Sequence, residues 1–176
     1  MRSFRRAAAL LAACAVLLAG CGYDGVEPRE WASRVCQALA PWSQEISTLT
    51  RETQQEMSKA TSPKQAKQTI VGLLKGAEQS SEDAREGVEV AGVPAVENGE
   101  QIAKEFRDAL AAARDAYGSA RKKVEKLAVT DAKTFYDGVV DAMDQLSTDY
   151  SASSLDTEKV SSEELQEAFD EVPECQ

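Results

Sequence analysis

The sequence contains no histidine. That excludes serine–histidine hydrolase triads, the usual acid–base side chain at neutral pH, and the glutamate–histidine pairs of di-iron bundles. Glycine-rich phosphate loops are missing too, because Gly87, Gly92 and Gly99 stand too far apart to form one. Asp141-x-x-Asp144 and Asp156-x-Glu158 lack the alternating oxygen ligands and central glycine of a calcium loop. There is no Cys-x-x-Cys pair. No convincing stretch alternates polar and apolar residues as a half-buried strand does, and no solenoid-type repeat is evident. Nothing calls for a metal or other cofactor. What remains is 176 residues with 43% hydrophobic and 28% charged side chains, an ordinary globular balance for one domain with its own core.

The N-terminus has the three parts of an export signal. Arg2, Arg5 and Arg6 form a basic region, and Ala7 to Ala19 is an apolar run of 13 residues, too short to span a bilayer. It ends in Leu18-Ala19-Gly20-Cys21. Small residues before a cysteine fit a peptidase site, and the thiol can take a thioether-linked diacylglycerol with acyl chains such as palmitate. The expected organisation is a lipoprotein signal peptide over 1–20, a lipidated tether over 21–27 and a helical bundle domain over 28–176. Cleavage removes three arginines and no acid, leaving 17 basic and 30 acidic residues, net −13. Such a surface matches neither nucleic acid nor anionic lipid headgroups. Attachment to the outer face of the cell membrane then falls to the lipid on Cys21. Residues 22–26 span only about 15–20 Å when extended, so the body stays close to the bilayer.

With Cys14 in the signal and Cys21 lipidated, Cys36 and Cys175 remain. An even pair in an oxidising compartment points to a disulfide; the alternative, two reactive thiols, has neither a Cys-x-x-Cys motif nor a histidine behind it.

From Glu27 onward apolar residues recur at spacings of three and four, the helical period. The first helix is expected from about Pro28 to Ala60, with Trp31, Val35, Leu39, Trp42, Ile46, Leu49, Thr53 and Met57 on one face and a kink or short break near Pro41. Ser62-Pro63-Lys64-Gln65 opens a second helix with the stripe Ala66, Ile70, Leu73, Ala77, Ser81, Ala84 and Val88. Gly92 and Pro94 end it. Asn98 caps a third helix carrying Ile102, Phe106, Ala109, Ala113, Tyr117, Ala120, Val124 and Leu127. Its alanine-rich middle predicts close packing. Thr130 or Asp131 opens a fourth helix with Phe135, Val139, Ala142, Met143, Leu146 and Tyr150 inward. Ser161-Ser162-Glu163-Glu164 caps a short fifth, roughly Ser162 to Glu171.

The predicted fold is all-α, an antiparallel up-down four-helix bundle with a short C-terminal fifth helix. In that topology the chain end returns beside Cys36, as the disulfide requires. The fifth helix then covers Trp31 and Val35, which the shorter fourth helix leaves exposed.

Three features resemble a family of small secreted lipoproteins from high-GC Gram-positive bacteria: Trp31-x-x-x-Val35-Cys36, Gly92-Val93-Pro94-x-Val96-x-Asn98-Gly99, and the late Cys175. The resemblance implies a surface lipoprotein with a helical body. It carries no catalytic residues.

Three classes of function fit this chain. The favoured one is a non-enzymatic binding or interaction module at the cell envelope. The others are a carboxylate-based envelope enzyme, for which Glu82, Asp83 and Glu86 are the nearest cluster, and a small-ligand carrier or structural spacer with a cavity beside Trp42 and Ala113. Trp31 and Trp42 share nearly one helix face and suit stacking a sugar, although core packing suits them better. Charge placement supplies the candidate surface. Residues 24–36, 78–100 and 156–174 gather at the tether end with 18 acids and four bases; residues 51–67 and 118–133 gather at the far end with nine bases and four acids. The candidate partner-binding residues are Lys59, Lys64, Arg121, Lys122, Lys123 and Lys126. The expected partner is an anionic envelope polymer or an acidic protein, bound in a salt-sensitive way.

Overall fold

A computed structural model describes residues 24–151 and 160–176. The signal region, Cys21 and the stretch 152–159 lie outside the described residues. Among the described residues five α-helices run in chain order: α1 (Pro28–Lys59), α2 (Pro63–Ala91), α3 (Gly99–Lys126), α4 (Ala132–Ser151) and α5 (Glu163–Glu171), followed by a 3-10 turn at Pro173–Cys175.

Local chemistry sets the helix starts. The Glu27 carboxylate accepts from the Glu30 N–H, with Pro28 in the first turn. Ser62 accepts from the Gln65 N–H ahead of Pro63, and the Gln65 side chain accepts from the Thr61 N–H. Asp131 accepts from the Thr134 N–H, and Ser162 from the Leu165 N–H. Each satisfies a donor that the first helical turn leaves free. Asn98 departs from expectation. It holds the N-cap position of α3 in a left-handed conformation, φ 59°, and its side chain caps nothing. The tight α2–α3 loop, not a side-chain cap, sets that turn.

α1 continues through Pro41, so of the kink or short break expected near Leu39–Pro41 the break does not occur. Pro41 is exposed, so its ring and the unpaired carbonyl face water. Neighbouring residues are fixed across the helix seam, because the Trp42 indole N–H donates to Ser81 Oγ at 3.0 Å.

Neighbouring helices are antiparallel. Ala38 meets Gly87 while Leu49 meets Gly76. Glu89 pairs with Arg107 while Glu78 pairs with Arg121. The Tyr150 ring lies tilted against Tyr117, and Leu127 lies against Gly138. α2 packs against α1 and α3, and α4 packs on α3 and touches α2. α1 and α4 do not pack together, so the fourth side is shared: α4 fills it where α3 ends, and α5 packs on α1 where α1 begins.

The core divides accordingly. At the start of α1, Trp31, Val35, Val88, Ile102, Phe106, Leu110, Leu165 and Phe169 form one cluster. Trp31 meets Phe106 and Phe169 edge-on at 5.3 and 5.9 Å, and those two rings stack on each other. At the other end Ile70, Leu74, Ala120, Val124 and Ala142 form a second cluster. Ala77, Ser81, Ala113 and Ala116, all buried, lie between them and let the helices approach closely. Leu74 and Leu110 are fully buried, whereas the expected Leu73 and Ala109 are only partly so. The Cys36–Cys175 disulfide ties the last turn to α1 across 139 residues.

Candidate functional site

The two ends of the bundle are built differently. At the end where α1 begins, the segment before it is docked. Val26 forms an isolated parallel bridge with the α2–α3 loop: its N–H donates to Val93 O, and its carbonyl accepts from the Ala95 N–H, both at 2.7 Å. Gly25 makes this approach possible. Its φ is +153°, and a Cβ there would lie 2.6 Å from Val93 O. The Trp31 indole N–H donates to Gly92 O at 2.9 Å, fixing the same loop from below. Residues expected to behave as a tether therefore become part of the body at Gly25 and Val26. Asp24, Glu27, Glu97 and Glu100 are exposed around this docked strap.

Along the α2–α3 seam runs a ladder of ion pairs. Glu82 accepts from Arg85 at 2.8 Å and from Arg114 at 2.6 Å. Hydrogen bonds from Arg85 and then Arg114 hold its carboxyl down at about 2. Hydrogen bonding to Glu82 in turn raises both guanidinium groups. Glu89 meets Arg107 at 3.3 Å. Glu78 accepts from Arg121 at 2.7 Å, and Arg121 also donates to Glu125 at 2.8 Å, which raises the Arg121 guanidinium. This corrects the charge reading in one respect. Glu78, counted with the acidic end, and Arg121, counted with the basic end, are partners at one level of the seam. The α2–α3 loop length sets that register, which residue position alone does not reveal.

The other expected cations also separate by use. Lys59 pairs with Glu56 one turn back. Lys67 donates to the carbonyls of Glu125 and Leu127 at 2.6 and 2.8 Å, tying the first turns of α2 to the end of α3. Lys133 pairs with Asp137. Lys64, Lys122, Lys123 and Lys126 are exposed and enter no ion pair among the described residues. They sit at one end of the molecule, because Lys64 is in the first turn of α2 and the other three are in the last turns of α3.

The remaining candidates do not converge. Glu82 faces the α3 seam, whereas Asp83 accepts from Gln79 on the α1 side and Glu86 is exposed. Trp31 is fully buried and unavailable for stacking. Trp42 borders an open groove of about 520 Å³ between α1 and α2, lined also by Pro41, Glu45, Gly76 and Asp83; Ala113 is not part of it. Among the described residues no cluster of three His, Cys, Asp or Glu side chains is arranged to hold a metal ion. Among them also, no helix is long and apolar enough to cross a membrane. No family model, no curated protein and no solved structure matches the chain.

Proposed function

We propose that the protein is a lipid-anchored, extracytoplasmic interaction module that holds its basic end away from the membrane. The docked strap is the observation that carries this reading. Cys21 lies three residues before Asp24, a reach of about 10 Å when extended. A lipid there keeps the α2–α3 loop and the exposed acids beside the bilayer, where anionic headgroups repel them. α2 has 29 residues, so the lysine-bearing end stands about 43 Å further along the helix. That separation is several Debye lengths at physiological salt, so the acidic end scarcely weakens the field at the basic end. The resemblance to small secreted lipoproteins of the high-GC Gram-positive type supports the same cellular address. The interaction reading assigns the ion-pair ladder a structural part: its pairings lie along a helix seam, where they hold α2 to α3.

Membrane fractionation tests the reading. The native chain is expected in the membrane fraction and Cys21→Ala in the soluble fraction or as the unprocessed precursor. Cleaved Cys21→Ala protein that stays fully with the membrane would sink the proposal.

A further inference from the structure

We infer that the basic end binds a flexible polyanion, a polymer with repeated phosphate or carboxylate groups, and not a folded acidic protein. The inference rests on the orientation proposed above and names the partner of that surface.

Three observations carry it. The first is which cations are free. Arg121 is held by Glu78 and Glu125, whereas Lys64, Lys122, Lys123 and Lys126 on α2 and α3 are exposed and enter no ion pair among the described residues; Arg51, on α1, is the one guanidinium counted with this end that is likewise exposed and outside any such pair. Lysine ammonium groups on flexible stems act as point charges; they lack the rigid fork with which arginine reads the geometry of a folded partner. Such a set responds to charge density, which a polymer supplies in any register.

The second is the backbone. The C-terminus of α3 would ordinarily present unpaired carbonyls and a partial negative charge here. Lys67 covers two of them, on Glu125 and Leu127. The neighbouring N-terminus of α2 adds partial positive charge. The α2 N-terminus therefore favours an anion beside the free lysines, and Lys67 offsets the opposing charge of the α3 C-terminus.

The third concerns what a folded partner would need. Protein interfaces centre on a buried aromatic or apolar anchor. The exposed large apolar side chains on α4 are Tyr136 and Val140, one turn apart, and the free lysines belong to α2 and α3. Among the described residues, α2 and α3 themselves expose no large apolar side chain at this end.

Neutralising four polymer charges predicts a salt slope near −3, which is about a fifty-fold loss of affinity between 50 and 200 mM salt. The experiment uses the whole oxidised Cys21→Ala chain in non-ionic detergent, with delipidated cell envelope as the binding phase. Retention should survive protease treatment of the envelope. It should fall with salt by the stated factor, and long-chain polyphosphate should compete far better than triphosphate at equal phosphate. Lys122→Gln with Lys126→Gln should halve the slope while helicity is unchanged, and Tyr136→Ala should leave retention intact. Loss of retention after protease, or dependence on Tyr136 with no salt response, overturns the inference in favour of a protein partner. Absence of retention at low salt overturns it outright. Because this chain carries no lipid, either failure leaves the membrane fractionation of the native chain unaffected and separates the two claims.

Discussion

Breaking the Cys36–Cys175 bridge should release α5 before the rest of the bundle unfolds. The bridge closes a span of 139 residues, for which the chain-entropy treatment gives about 5 kcal/mol, with native bridges generally contributing 2–5. α5 has nine residues, too few to persist as an isolated helix. It is held by Leu165, Ala168 and Phe169 in the core and by the bridge that follows it. Burying Leu165 and Phe169 is worth roughly 2 kcal/mol each, comparable to the bridge itself, so its loss removes about half of what holds α5 down. Phe169 packs edge-on against Trp31, which is otherwise sealed from water. In a Trp42→Phe background, emission reports on Trp31 alone. Cys36→Ser should then shift that emission to the red and admit iodide quenching below the main transition, while most helicity persists. The melting temperature should fall by about 10 °C. Trp31 that stays shielded with an unchanged melting temperature would refute the assignment of α5 as a cover held by the disulfide.

Other predictions follow from the strap, the ladder and the core. Gly25→Ala places a Cβ against Val93 O at a φ of +153°, so it should undock the strap at a cost of about 1–3 kcal/mol; hydrogen exchange at the Val26 and Ala95 amides should accelerate selectively. The Glu82 carboxyl is depressed to about 2 in the fold, so its contribution is complete above the unfolded value of 4.5 and disappears as pH falls through 2. Its partial exposure screens the pairs, leaving about 1–2 kcal/mol. Glu82→Gln should therefore destabilise the protein in urea titrations at pH 7 and become neutral near pH 2; equal destabilisation at both would contradict the pairing. Leu74→Ala should cost 3–5 kcal/mol in the same titration, against under half of that for the partly buried Leu73→Ala, which inverts the expectation from stripe position.

The helix starts were legible because their signals are local. Ser62-Pro63, Asp131 and Ser162 satisfy the first-turn donors from within three residues. Cysteine arithmetic and helix count together sufficed for the disulfide, because three reversals among four long helices return the chain to the end where α1 begins, and an even number would have put Cys175 at the wrong end. Adjacent leucines were harder. Leu73 and Leu74 both continue a three-or-four spacing from Ile70 to Ala77, and the choice depends on where α3 and α4 sit around α2. The short break did not form at Pro41, which is exposed on the water-facing side of a continuous helix. The strap left only a faint trace. Gly25 and Gly99 are glycines for contacts with residues far along the chain or across the loop, and periodicity carries no such information. The basic end was visible as a run of charge, but a run does not distinguish Arg121, spent on Glu78, from Lys122 and Lys126, which remain free.

The central claim is that the chain is fixed to the membrane at the strap end through Cys21. Mass spectrometry of the N-terminal peptide from membrane-extracted protein tests it most directly. The account predicts a chain beginning at Cys21 whose first residue carries the mass of a thioether-linked diacylglycerol. A membrane-associated chain that retains residues 1–20, or begins at an unmodified Cys21, would contradict it.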